Sequence, residues 1–299
     1  MGKELQGLKR AIKKATRRYA SALDSVGRSY LKLWELNSYG VAEPSSLAQA
    51  EDDFLSGRFG EDYGDVGAGI SELAGARLVS AADHLNSTAA LLTPSNTGVF
   101  SVWATGRAML EAAGLAYWLL DPDVDPDSRY VRGLNDRLNS LAGAIRFMER
   151  GKVSLEDVVT NPTDTMDHVI QRAQTFGFSI DGDGRNRRVR GQKLPSWTEL
   201  VDHLTEPGVY SVFSGYSHNE IWALGHQQTP MKNVNDPSGL GRSFSKASIS
   251  LQDYQSLGQR LVTGFTTSVE RHIRYHGWEE IDNWTTTVTR SRSSLSKLL

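Results

Sequence analysis

The chain has 299 residues, 23% of them charged and 39% hydrophobic, with a formal net charge of −2 and no cysteine. That length holds one large domain or a core with appendages. The charge balance excludes whole-surface attraction to nucleic acid or anionic lipid, and the missing cysteines exclude disulfides and thiolate chemistry. No stretch reaches the roughly 18 consecutive apolar residues of a membrane-crossing helix, and no apolar run follows the basic N-terminus as a secretory signal would require. The expectation is a cytoplasmic protein with no membrane association.

Residues 3–38 read as one long helix, with Leu5, Leu8, Ile12, Ala15, Tyr19, Ala22, Val26 and Leu33 at helical spacing. Its first half is basic: Lys3, Lys9, Arg10, Lys13, Lys14, Arg17 and Arg18 stand against Glu4. Such a run is either an electrostatic arm or the solvated face of an amphipathic helix, and the regular apolar stripe favours the second. Residues 40–64 break the pattern with Pro44, Gly57, Gly60, Gly64 and the acidic group Glu51, Asp52 and Asp53. They read as a loop holding one short helix capped by Ser45 or Ser46.

A second long helix spans about 70–92, where Leu78, Ala82, Leu85, Ala89 and Leu92 step by four and three. Thr93-Pro94 stops it. The third runs from Ser95 or Asn96 to Leu120 with a core line of Phe100, Trp103, Leu110, Gly114 and Tyr117, on or beside which fall Arg107 and Glu111. These two are four apart and can reach each other. The Asp121–Pro126 run ends that helix. A fourth covers about 129–149, with Leu134, Leu138, Leu141, Ile145 and Met148 inward and Arg129, Arg132, Arg137 and Arg146 expected in solvent.

A short turn is expected at 154–157 and a helix at 165–176, closed by Gly177. The one expected β element lies near 178–192: Phe178-Ser179-Ile180 alternates, Asp181-Gly182-Asp183-Gly184 is turn chemistry, and Val189 follows among arginines. Residues 181–193 hold five basic and two acidic side chains, a net +3. Arg185, Arg187, Arg188 and Arg190 are candidate phosphate contacts. No aromatic residue interleaves them, so base stacking is not indicated, and the alternative is a plain surface hairpin.

Helices at about 197–204 and 209–224 follow, then a long loop over 225–247, a helix over about 251–275 and a tail after Trp284 that is helical or loose. In the 209–224 segment, Val209, Phe213, Tyr216, Glu220 and Ala223 share one face, and Ser211, Ser214, His218 and Ile221 form a second line beside it. A carboxylate in an apolar seam needs partners. Arg107 and Glu111 supply them if the third helix meets this one. The resulting candidate binding cluster is Arg107, Glu111, Ser214, His218 and Glu220.

Other chemistries find less support. His84 and His218 with Glu111 or Glu220 would be a metal set, but paired ligands on one turn are the usual signal. The chain offers only His272-x-x-x-His276, for which helix-end dipole complementarity is the simpler account. Ser214 and His218 lie one turn apart, but no nucleophile elbow or phosphate-cradling glycine loop occurs. No metal or cofactor is expected.

The segment Arg271-His272-Ile273-Arg274-Tyr275-His276 resembles the Arg-polar-(x)3-His signature of the HEPN superfamily, helical bundles that often act as metal-independent ribonucleases in conflict systems. The resemblance implies Arg271 and His276 as catalytic residues, with His272 between them, working across a homodimer on RNA; His218 with Arg107 is the other candidate pair. A broader likeness is to helical bacterial proteins loosely related to that superfamily. It rests on Arg107–Glu111, Tyr117–Pro122 and the Tyr210, Ser214, His218, Trp222 spacing, and it implies a fold without a set activity.

The sequence thus predicts an all-α protein, a single bundle of about seven or eight helices with one short hairpin. One helical domain covers 1–299: the long helix 3–38, the loop 40–64, the core bundle 65–278 and the tail 279–299. Three functions are carried forward. The first is a binding or regulatory protein of a bacterial or phage conflict system, with an RNA or protein partner. The second is a HEPN-like ribonuclease acting as a homodimer. The third is a structural or virion-associated protein that uses the basic first helix and the 225–247 loop as contact surfaces.

Overall fold

Apolar residues three and four apart need a surface to rest on, and in this chain the helices supply it to one another. The structure, a computed structural model, describes residues 2–60, 63–64, 69–92, 100–151, 161–218, 220, 223, 228–230, 245–247, 250–279 and 281–297. Among these residues ten α-helices form: α1 (Gly2–Leu36), α2 (Leu47–Phe59), α3 (Ile70–Leu91), α4 (Ser101–Leu119), α5 (Pro126–Gly151), α6 (Pro162–Thr175), α7 (Trp197–Asp202), α8 (Val209–Ser217), α9 (Leu251–His276) and α10 (Asp282–Ser296). The expected hairpin is present as β1 (Ile180–Asp181) and β2 (Arg188–Val189), antiparallel with Ile180 opposite Val189.

The all-α expectation holds, but seven or eight helices become ten. Ser46 caps α2 by accepting a hydrogen bond from the Gln49 amide, and that helix runs on to Phe59. The tail is helical, with Trp284, Val288, Ser291 and Leu295 buried three or four residues apart. The long loop holds a second small ladder, β3 (Gln228–Pro230) against β4 (Ser245–Ala247). The expected stop at Thr93-Pro94 and the turn at 154–157 lie outside the described residues.

Helix α4 is the hub, packed against α3, α7, α8 and α9. Its inward residues Val102, Met109, Leu110, Ala113, Ala116 and Leu119 are all fully buried. They join Leu78 and Leu85 of α3, Leu23 and Val26 of α1, Phe213 of α8 and Leu261 and Phe265 of α9 in one large apolar cluster. Close approach at the centre needs Gly106: a β-carbon there would lie 2.7 Å from the Phe213 ring, with Leu261 just behind.

The core is not single. A second apolar cluster unites Leu55 of α2 with Tyr130, Val131, Leu134 and Leu138 of α5, Met166, Val169, Ile170 and Ala173 of α6, and Phe178 and Val189 beside the hairpin. Asn135 of α5 ties the hairpin down. Its amide donates to the Val131 and Val189 carbonyls, and its carbonyl accepts the Val189 N–H at 2.9 Å.

Between the two clusters runs a line of paired charge. Arg129, expected in solvent, is 4% exposed and meets Glu51, itself 3% exposed; it also donates to the Asp121 and Val124 carbonyls. Arg132 donates to the Trp118 carbonyl at 2.6 Å and reaches Asp121. Arg77 Nη2 of α3 donates to both carboxylate oxygens of Asp136 of α5, each at 3.0 Å. Arg129, Arg132 and Asp136 lie opposite the leucine stripe of α5, and that opposite face meets the main bundle instead of water. Burial holds the Glu51 and Asp136 carboxyls above their ordinary range, with Arg129 and Arg77 pulling them back down.

Candidate functional site

Helix α8 begins at Gly208, whose φ of +85° is left-handed backbone that favours glycine. It is pressed on α4 by aromatic contacts. Trp103 stacks on Tyr216 with ring centroids 4.4 Å apart and meets Phe213 edge-on at 5.1 Å. The helix ends at Ser217, not at residue 224. The His218 N–H bonds the Ser214 carbonyl, and the Glu220 N–H reaches back to the Gly215 carbonyl at 2.9 Å. That turn takes Glu220 out of the seam, and it is exposed. Ala223 is buried as expected.

The meeting of α4 with α8 brings four side chains together. Arg107 Nε donates to Glu111 Oε1 at 2.7 Å, Arg107 Nη2 donates to the Tyr210 hydroxyl at 2.8 Å, and the Tyr210 hydroxyl donates to Glu111 Oε1 at 2.9 Å. The fourth member is His218, whose Nε2 lies 2.5 Å from Arg107 Nη1. A guanidinium can only donate, so His218 Nε2 is the acceptor and the ring's hydrogen sits on Nδ1. Arg107 and Glu111 side chains are 19% and 22% exposed, so the cluster lies at the rim of the bundle and not deep within it.

The electrostatics follow from this geometry. Desolvation alone would lower the Arg107 pKa, but Glu111 outweighs it and the guanidinium is held above its usual value. Burial, reinforced by Glu111, pushes the Tyr210 hydroxyl up to about 12. Tyr210 is the member that reading for titratable groups overlooks. Its signal was present in the sequence: Tyr210, Ser214 and His218 are spaced by four on one line of α8. Ser214 contributes its backbone carbonyl to the His218 turn.

The Arg271 and His276 pair is not brought together. Arg271 donates to the Tyr117 carbonyl at 2.8 Å, lies over the Tyr117 ring and faces Asp121 at 3.8 Å. His276, five residues on and so about 140° around the helix, is fully buried. It packs against Trp278 and His272, with ring centroids at 5.0 and 4.3 Å. His272 is equally buried, between Trp34 at 5.5 Å and Trp278 at 4.9 Å. Burial pushes His276 down to about 4 and His272 well below its ordinary value. Both are therefore neutral at pH 7, which corrects the dipole-complementarity account: that account needs a charged imidazole.

The four hairpin arginines divide. Arg185 meets Glu149, Arg187 holds Asp167 at 2.6 Å, and Arg190 turns away to cover the Phe178 ring at 4.7 Å and to face Asp127 at 3.6 Å. Arg188 forms no ion pair among the described residues. No group of three or more His, Cys, Asp or Glu placed to hold a metal ion occurs among the described residues.

The sequence matches no family model, no curated protein and no solved structure. Among the described residues no helix is long and apolar enough to cross a membrane.

Proposed function

We propose that this chain is a helical binding or regulatory protein whose recognition face is the rim where α4 meets α8. The observation that carries the reading is that the Arg107 network is closed on itself. His218 Nε2 is occupied by a guanidinium that Glu111 and Tyr210 hold in place, so the ring presents no free lone pair to a reacting proton. General-base work by that nitrogen needs such a lone pair within hydrogen-bond reach of substrate. At the outer side of the rim lie the exposed His218 and Glu220 and a Glu111 side chain that is 22% exposed. Carboxylates at that face repel phosphates and fit donor-rich side chains of a protein partner. The bacterial or phage conflict system is part of the same proposal and rests on the HEPN resemblance, while the cytoplasmic setting rests on the absence of cysteine.

Affinity purification from the native host tests the reading. A partner protein retained by the wild type and lost in a His218→Ala, Glu220→Lys double variant is expected. No retained partner, or one indifferent to both substitutions, contradicts it. The same preparation incubated with RNA decides between recognition and the enzyme alternative. Cleavage that disappears in both His218→Ala and Arg107→Lys would replace recognition with metal-independent ribonuclease chemistry.

A further inference from the structure

The basic hairpin closes over a cavity of about 230 Å³ between itself and α5. Five cations line it: Arg185, Arg187, Arg188 and Lys193 from the hairpin and its exit, and Arg146 from α5. The set differs from the four arginines that the sequence singles out, because Arg190 points elsewhere and Arg146 arrives from a distant part of the chain. Two of the five are already neutralised, Arg185 by Glu149 and Arg187 by Asp167. Arg146, Arg188 and Lys193 form no ion pair among the described residues, and Asp181 stands across the ladder from Arg188. Among the described residues the wall therefore carries three positive charges outside any ion pair.

The scaffold behind these charges is firm. Asn135 locks β2 to α5 through two hydrogen bonds, one to the Val189 carbonyl and one from its N–H, and Val189 is fully buried beneath it. Just past β2, Arg190 and Gly191 take consecutive left-handed conformations with φ of +52° and +61°. A non-glycine residue held there is strained, and strain of this kind clusters where the chain must place a group for function. Here it reverses the chain so that Lys193 and Leu194 come back to the cavity mouth. Like charges gathered without a counterion raise the energy of the folded state, so a surface that keeps them is one that gains from an anion.

We infer that this cavity is a binding site for a diphosphate group, the pyrophosphate moiety of a phosphorylated small molecule. Three open positive charges match the roughly three negative charges of a diphosphate better than the one and a half to two of a phosphomonoester. A guanidinium fork suits bidentate phosphate recognition. The volume exceeds that of a single bound ion: at about 30 Å³ per water it holds roughly eight waters. No aromatic side chain lines it, so the site grips the phosphates and leaves any attached base unread. None of its residues belongs to the α4–α8 rim, so the two readings stand or fall separately.

Isothermal titration of the full chain with inorganic pyrophosphate tests it, with sulfate at matched ionic strength and a 5′-phosphorylated RNA oligonucleotide as further arms. Pyrophosphate is expected to bind at least tenfold more tightly than sulfate. Arg188→Gln and Arg146→Gln should each weaken it about tenfold and Lys193→Gln about threefold. Arg150→Gln, exposed on the same helix but outside the lining, should leave it within twofold. Arg146 and Lys193 are exposed, so their variants report binding without loss of fold, and an unchanged melting temperature checks this. Pyrophosphate no tighter than sulfate, or an Arg150→Gln loss equal to that of Arg188→Gln, overturns the inference by showing diffuse attraction only. RNA binding without pyrophosphate binding overturns it in favour of a nucleic-acid backbone contact.

Discussion

Helix α4 enters the main bundle through fully buried Met109, Leu110, Ala113 and Ala116, whereas α5 meets the same bundle through Arg129, Arg132 and Asp136. The first contact removes apolar surface from water and stabilises in proportion to area. The second desolvates ions, and their mutual attraction does little more than repay that cost. Stability therefore resides in the two apolar clusters, while the line of charge between them fixes how α5, α6 and the hairpin are set against the rest. The α4–α8 rim lies on the first region and the cationic cavity on the second.

The largest effect that sharpens this comparison comes from the main cluster. Phe265→Ala removes a fully buried ring in contact with Tyr30 and Trp284 and should cost about 4 kcal/mol in denaturant unfolding. Arg129→Ala leaves Glu51 buried without its partner and should cost about 3 kcal/mol. Replacing both, with Arg129→Met and Glu51→Leu, should recover most of that loss. A double variant as unstable as the single one would break the comparison.

The two regions also answer pH with opposite signs. His276 binds its proton at about 4 when folded and near 6.5 when unfolded, so the unfolded chain holds more protons between those values. Stability from the main bundle should fall as pH drops from 6.5 to 4, by on the order of 3 kcal/mol, and His272 adds to the same direction. Glu51 and Asp136 have raised folded pKa values, so the folded chain holds more protons just above pH 4 and the charged seam weakens as pH rises through that window. Thermal melts of His276→Phe against the wild type from pH 7 to 4 isolate the first effect. An equal acid loss in both would contradict it.

Smaller effects mark the sites themselves. Arg107→Ala removes charge-assisted bonds to Glu111 and Tyr210 at a rim that is neither buried nor fully solvated, and should cost about 2 kcal/mol. Asn135→Ala frees a buried Val189 N–H and should cost about 1.5 kcal/mol, read as faster hydrogen exchange in the hairpin.

The long stripes were legible because period and partner agree: α3, α4 and α9 appear where Leu78, Leu110 and Leu261 repeat at helical spacing. Arg107 and Glu111 were legible as a pair for the same reason. What periodicity could not see was an event of the backbone or of tertiary packing. Helix α8 ends early because the Glu220 N–H reaches back five residues to the Gly215 carbonyl, while the apolar spacing runs on past it. Arg129 reads as solvated because nothing local says that the face opposite the leucines of α5 meets a second surface. Arg146 joins the cavity only because Asn135, eleven residues before it, pins the hairpin to α5.

Native-state hydrogen exchange on the wild type and Arg129→Ala tests most directly the claim that two apolar bodies are joined by paired charge. The amides of α5, α6 and the hairpin should open at lower free energy than those of α3, α4 and α9, and Arg129→Ala should widen that gap by lowering only the first group. A single opening free energy across all these helices, lowered equally everywhere by the substitution, would contradict it.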